Sequence, residues 1–266
     1  MERPVWAPHG IDLTRPSVAR MYDYYLGGSH NFEVDRAAAR TALEVWPDLP
    51  MIMRANRAFM RRAVRFAVDS GIKQFLDIGS GIPTFGNVHE VARAAAPDAR
   101  VVYVDHDPVA IAHSEAIVAD DDQTSVLQAD LLKPDDIIGS EAVQRLIDGG
   151  EPVALMLVAL LHFVGDQDSP RDIVARLRDA LPPGSCLILT HATNEGYADP
   201  ADEERDVYKR MGSPLIMRTR QEVLSFFDGF EVVDPGVVFY SQWRPDAADE
   251  EDPARYSGYA GFGLKR

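Results

Sequence analysis

Three apolar runs in the middle of the chain each lead into an acid: FLDIGSG (Phe75–Gly81), RVVYVDHDP (Arg100–Pro108) and SVLQADLL (Ser125–Leu132). An open α/β sheet binds its ligand outside the carboxyl ends of its strands, so acids delivered there in series point to a nucleoside site. Each run suits a separate task. Phe75, Leu76 and Ile78 make the body of a buried strand, and at the Gly79-Ser80-Gly81 turn the two glycines carry no side chain to hold a ligand off the backbone. Asp105, with His106 beside it, ends the second strand and offers two carboxylate oxygens to the hydroxyls of a ribose. Asp130 suits the exocyclic amine of an adenine, and the amide of Leu131 suits a ring nitrogen.

Two nucleoside cofactors compete for such a sheet. A dinucleotide fingerprint needs a third glycine at position 84, where the chain has Thr84 after Pro83. No G-x-x-x-x-G-K-[ST] loop occurs either, which disfavours a nucleotide triphosphate. Asp77 at the glycine turn would repel a diphosphate but suits the cationic methionine end of S-adenosylmethionine. The expected cofactor is therefore S-adenosylmethionine, with S-adenosylhomocysteine as its product. An NAD-dependent dehydrogenase is the weaker alternative.

With Asp77-x-Gly79-x-Gly81, Asp105 and Asp130-Leu131 in place, the chain resembles class I S-adenosylmethionine-dependent methyltransferases from Lys73 to its end. The runs Arg20–Asp35 (RMYDYYLGGSHNFEVD), Arg54–Phe66 (RANRAFMRRAVRF) and Phe75–Ala92 (FLDIGSGIPTFGNVHEVA) are also similar to a bacterial family named S-adenosyl methyltransferase, whose substrates are largely unassigned. The common third glycine of the methyltransferase loop falls at Pro83. Val158 and Ala159, closing the fourth strand, complete the cofactor-binding set expected from the sheet.

Methyl transfer is an in-line displacement, so the protein chiefly positions the nucleophile and removes its proton when that nucleophile is a hydroxyl. His162, just past the apolar run MLVALL, is the first candidate base. His191, after the fifth strand, is the second, and His30 is a third if the N-terminal segment closes over the site. A structural histidine capping an apolar strand is the competing reading. The segment from Tyr22 to Asn31 places Tyr22, Tyr24, His30 and Asn31 beside the Gly27-Gly28 pair, as in a ligand lid; the plainer alternative is a helix packed on the core that stops at two glycines. Tyr22, Tyr24 and Gly28 accordingly join the cofactor-binding candidates. Arg54, Arg57 and Asn31 are the substrate candidates, the arginines being placed to reach a substrate acid or the cofactor carboxylate. The histidines lack metal-ligand spacing, so no metal is expected.

The elements that must hold these residues divide near Ser70. Before it, helices are predicted at Ser17 to about Leu26, Glu33 to about Trp46 and Pro50 to Ser70, with Gly71 as a C-cap. Residues 1–70 thus read as a helical cap. In 71–266, strands are predicted at 73–78, 100–105, 124–129, 152–158 and 185–190, alternating with helices at 86–96, 108–119, 134–148 and 170–181. Further helices are expected near 201–211 and 219–228, and strands near 230–240 and 256–264. The rhythm means a mostly parallel α/β sheet with helices on both faces and an antiparallel edge hairpin, the Rossmann-like arrangement of class I methyltransferases.

Composition narrows the function further. With 266 residues, of which 46% are hydrophobic, the chain suits one large α/β domain with an appended segment. A formal charge of −15 disfavours nucleic acid as a partner. Cys186 lies in the apolar run CLILT and reads as a buried thiol. The start lacks a secretory signal, and no run approaches a membrane span, so the cytoplasm is the default and no membrane partner is expected. After the fourth strand, Ala159-Leu160-Leu161-His162 replaces the acid, prolines and aromatic of amino-directed nucleic-acid methyltransferases, and no nucleophilic cysteine stands there for cytosine methylation. The expected partner is a small-molecule oxygen or nitrogen acceptor. The alternative from another class is a non-catalytic module that binds S-adenosylmethionine or S-adenosylhomocysteine. The oligomeric state is not legible.

Overall fold

Alternation along the central strands sorts their side chains into two apolar layers. In the computed structural model, which describes residues 12–84, 86–147, 150–196, 215–247 and 252–266, Phe75, Ala154, Met156, Cys186 and Ile188 face one layer. Leu76, Ile78, Leu155, Leu157, Leu187 and Leu189 face the other. Successive strand residues point to opposite faces, so strands apolar at every position must be covered on both.

The strands are β1 (Gln74–Ile78), β2 (Arg100–Asp105), β3 (Thr124–Gln128), β4 (Val153–Leu157), β5 (Cys186–Ala192), β6 (Glu231–Val232), β7 (Val238–Phe239) and β8 (Gly258–Leu264). They form one sheet in the order β3-β2-β1-β4-β5-β8-β6, with β7 also pairing β8. The pairs from β3 to β5 are parallel, whereas β8 runs antiparallel to β5, β6 and β7. This is a Rossmann-like class I arrangement. The order reverses beside β1, and this switch point opens the crevice in which such sheets take ligands.

The helices are α1 (Val18–Tyr25), α2 (Glu33–Val45), α3 (Leu49–Asp69), α4 (Val88–Ala95), α5 (Pro108–Ile117), α6 (Pro134–Ile138), α7 (Glu141–Ile147), α8 (Pro170–Ala180) and α9 (Arg220–Ser225). Met21, Tyr25, Trp46, Ile52, Phe59 and Met60 on the first three share a core with Phe75, Met156 and Phe262 of the sheet. The N-terminal helices therefore bury their apolar stripes against the sheet rather than around a core of their own.

Some boundaries differ from the sequence expectation. The helix expected at 134–148 is broken into α6 and α7, because the Gly139 amide caps α6 on Asp135 O at 2.8 Å and the Ser140 hydroxyl accepts from the Val143 amide to start α7. The strand expected near 230–240 is two short pieces interrupted by the Asp234-Pro235-Gly236 turn, where Pro235 supplies no amide for a ladder. The helix expected near 201–211 and most of the acidic loop near Asp249 lie outside the described residues. Cys186 is fully buried, and burial pushes its thiol up.

Candidate active site

The glycine turn after β1 adopts the left-handed backbone that its residues permit, with φ of 73° at Gly79 and 67° at Gly81. A Cβ on Gly79 would lie 2.7 Å from the Leu160 side chain, so this glycine lets the loop after β4 close against the turn. A Cβ on Gly81 would meet nothing within 4 Å, so the turn borders open space there.

Asp105 lies at the tip of β2, buried, with Oδ2 accepting from the Gly81 amide at 2.7 Å and Oδ1 from the Asp107 amide at 2.9 Å. Burial raises its pKa against these two bonds. The exposed His106 ring stands 3.6 Å from Asp105 through Nδ1. Asp77, on the same face, is pushed up to about 7 by burial, opposed by the Arg57 guanidinium and reinforced by Asp105. Arg57 reaches in from α3, bonding Gly86 O at 3.3 Å, while its Nε is buried with no partner among the described residues. The Ser80 hydroxyl is likewise buried and unpartnered. A carboxyl group, a guanidinium and a hydroxyl without a partner among the described residues, gathered beside the glycine turn, fit an amino-acid zwitterion. At the end of β3, Asp130 is exposed and accepts from the Leu132 amide at 3.0 Å, and Leu131 is buried beside it.

The other half of the site is an apolar cleft between the N-terminal helices and the loops after β4 and β5. It holds an internal void of about 50 Å³, and about 570 Å³ of empty space when its open mouth is counted. Tyr22, Tyr25, Trp46, Phe163 and Tyr240 supply aromatic walls, with Ala159, His162, Ala192, Asn56 and Ser257 among the remaining lining. Ala159 has φ of 55° and donates its amide to Thr190 Oγ1 at 2.7 Å, which turns the chain out of β4 and brings Leu161–Phe163 under the cleft.

The three histidines do not converge. His162 lines the cleft, and its Nδ1 accepts from the Ala192 amide at 3.3 Å. A backbone amide only donates, so the neutral ring carries its proton on Nε2. Burial, reinforced by His191 and Arg218, drives its pKa well below the ordinary histidine value. His191 sits behind it with both nitrogens engaged: Nδ1 donates to Ala192 O at 2.8 Å, and Nε2 accepts from Arg218 at 2.8 Å. Burial lowers its pKa to about 4. His30 packs against His113 of α5, with ring centroids 3.9 Å apart and planes tilted by 49°, and does not line the cleft.

The N-terminal candidates also divide. Tyr22 lines the cleft; Tyr24 is half-buried against Tyr25, outside it. Gly28 allows the turn to close on the buried Asp23 carboxylate, which accepts from the His30 amide at 2.9 Å and from Asn31 Nδ2 at 2.8 Å. Asn31 is thus spent inside its own loop, its Oδ1 accepting from Arg36 at 3.1 Å. Arg54 is exposed on α3, while Arg57 bonds Gly86 O and acts electrostatically on Asp77. The segment is tied to the start of α5, where Ser17 Oγ donates to the Asp107 carboxylate and Arg20 Nη1 lies 3.9 Å from it, while the buried Arg20 also bonds Asp35 at 3.0 Å within the segment.

A family model described as S-adenosyl methyltransferase matches residues 4–266. The chain belongs to that family. A methyltransferase candidate from Thermobifida fusca is similar at 41% identity, covering 99% of this chain and 100% of its own, with a TM-score of 0.93. A DUF574-family protein from Streptomyces avermitilis is similar at 39% identity over 95% of this chain and 98% of its own, with a TM-score of 0.90. The N-methyltransferase NodS from Bradyrhizobium japonicum, solved with S-adenosyl-L-homocysteine, shares 13% identity over 86% of this chain and 97% of its own at a TM-score of 0.50, a likeness of fold. A comparison with curated proteins gives no match.

Several residues of this S-adenosyl methyltransferase site escape sequence reading. Asn56 sits among arginines on α3, and Ser257 precedes the glycine-rich strand β8, without a motif to mark either. Arg218 is buried and donates to Leu161 O and Val164 O, each at 3.1 Å, to Asp166 at 2.6 Å and to His191, so it fastens the loop that carries His162. Its signal would have been an arginine directly after the apolar run Leu215-Ile216-Met217, which also fits a surface residue. Among the described residues no group of three or more His, Cys, Asp or Glu is placed to hold a metal, and no helix is long and apolar enough to cross a membrane.

Proposed function

We propose that this chain transfers the methyl group of S-adenosylmethionine to a small acceptor held in the aromatic cleft. The observation that carries the reading is the junction of the two half-sites. Leu160 packs on Gly79 at the nucleoside-side turn, while its neighbour Ala159 lines the cleft, so one loop separates a zwitterion-binding turn from an aromatic pocket.

When bound, the cofactor supplies an electrophilic methyl group on a sulfonium. Asp77 and Arg57 take its ammonium and carboxylate, Asp105 and His106 its ribose, and Asp130 with Leu131 its adenine. Gly79, Ser80 and Gly81 give backbone access, and Val158 and Ala159 close the site from β4. Residues up to about 70 form a cap whose helices share the acceptor wall with the loops after β4 and β5 and lend Arg57 to the cofactor, and those after 71 carry the rest of the cofactor site. Tyr22 belongs to that wall. His162 presents Nε2–H toward the acceptor, which makes it a hydrogen-bond donor and orienting group instead of a base. His191 and Asn31 hold the structure around the site.

A thermal-shift titration tests the cofactor. S-adenosylhomocysteine at about a hundredfold over its dissociation constant stabilises the fold by roughly 2.7 kcal/mol, and NAD gives no shift. The opposite ranking overturns the reading. Binding without transfer of label from S-adenosylmethionine to any metabolite in a host extract would leave a binding module in place of an enzyme.

A further inference from the structure

We infer, building on that reading, that the acceptor is an uncharged single-ring aromatic amine, methylated on nitrogen. Among the described residues, none of those lining the cleft carries a formal charge at neutral pH, so an ionic acceptor would leave water with nothing to replace its solvation. The walls are mainly aromatic, which favours a planar guest.

The polar atoms in the cleft define what the guest must bring. Tyr22 Oη donates to Met53 O at 3.2 Å and therefore accepts from Asn56 Nδ2 at 2.9 Å. This fixes the amide so that Asn56 Oδ1, buried and without a partner among the described residues, is left for the cleft. A carbonyl oxygen only accepts, so the guest carries a donor. Ser257 Oγ, equally buried and unpartnered in the same lining, takes either role. Two unmatched polar atoms at 2% residue exposure are a standing cost that a matching ligand removes.

The absence of a base chooses nitrogen over oxygen. The titratable side chains in the described lining are tyrosines and His162, whose unprotonated nitrogen is already occupied by the Ala192 amide. A hydroxyl must lose its proton to become a good nucleophile, whereas a neutral amine already carries its lone pair. That pair forms the new N–C bond, the electrons of the broken C–S bond remain on sulfur as S-adenosylhomocysteine, and the cationic product nitrogen gives its proton to water at the cleft mouth. The void of about 50 Å³ is smaller than the ~150 Å³ cavity that accepts benzene, so the guest is one ring at most. It enters as the unbranched Met53 side chain gives way.

Aniline, phenol and benzoate, alike in size, test the assignment. Calorimetry on protein saturated with S-adenosylhomocysteine is expected to show aniline binding and benzoate at least about a hundredfold weaker. With S-adenosylmethionine at pH 7, N-methylaniline forms and anisole does not. Asn56→Leu weakens aniline at least about tenfold while S-adenosylhomocysteine still binds; if that variant does not fold, Ser257→Ala replaces it, with a severalfold loss expected. Benzoate binding as tightly as aniline, anisole forming as fast as N-methylaniline, or aniline failing to bind overturns the inference. A protein that binds S-adenosylhomocysteine but not aniline keeps the cofactor reading, whereas one that binds neither loses both.

Discussion

If Asp77 pairs with the ammonium of the cofactor, its ionisation must precede binding, and this makes affinity depend on pH where most carboxylates are silent. Its folded pKa is raised from 3.8 to about 7, chiefly by burial. The sign for the free protein follows: the native state holds this proton between about pH 4 and 7 while the unfolded chain releases it, so Asp77 lowers stability as pH rises through that window. The full loss is about 4 kcal/mol above pH 7. A ligand cation beside the carboxylate reverses the shift. With a pKa of about 7 the group is ionised to about 9% at pH 6 and about 91% at pH 8, so affinity rises about tenfold, or about 1.4 kcal/mol, between them. Isothermal calorimetry of S-adenosylhomocysteine in buffers of differing ionisation enthalpy measures both quantities, and at pH 6 about 0.9 proton is released per ligand bound. Asp77→Asn removes the titration and separates it from that of Asp105, the other buried carboxylate at the turn; the variant is weaker at pH 8 and flat across the range. Wild-type affinity that does not change between pH 6 and 8, or an equal tenfold rise in Asp77→Asn, refutes the assignment.

Two further outcomes test the scaffold. Arg218→Leu removes charge-assisted bonds to Leu161 O and Val164 O and the partner of His191; urea denaturation is expected to show a loss of about 3 kcal/mol, with the hydrogen-exchange protection of 161–164 falling first. A loss under about 0.5 kcal/mol, the range of an ordinary surface substitution, would mean that the loop is held by its own turn. Gly28→Ala places a Cβ 2.0 Å from Asp23 Oδ1, whose carboxylate already holds His30 and Asn31. The expected cost is about 1–3 kcal/mol in chemical denaturation, and a neutral substitution would show that the Asp23 hub is dispensable.

Much of the fold is legible because period-two and helical patterns are local. Phe75-Leu76-Asp77-Ile78 announces a strand covered on both faces, and Gly71 with φ of 88° ends α3 where a C-cap was expected. Gly79, Gly81, Asp105 and Leu131 are legible as a set because a parallel sheet delivers its strand ends to one edge whatever the details of packing. The break between α6 and α7 is harder to read, since Gly139 and Ser140 are individually tolerated inside a helix and only their hydrogen bonds stop it.

The sequence by itself determined the sheet, the helices before it and the line of acids at its strand ends, since these follow from the chemistry of neighbouring residues. Tertiary structure alone decided which polar groups face the cleft. His162, His191 and His30 are equivalent as letters, but the Ala192 amide, the Arg218 guanidinium and the His113 ring give each a different environment from far along the chain. Asn56 and Ser257, 201 positions apart in sequence, reach one pocket because α3 and the turn before β8 pack on the same end of the sheet. Hydrogen-bond roles are set by partners in space, and no periodicity in the chain encodes them.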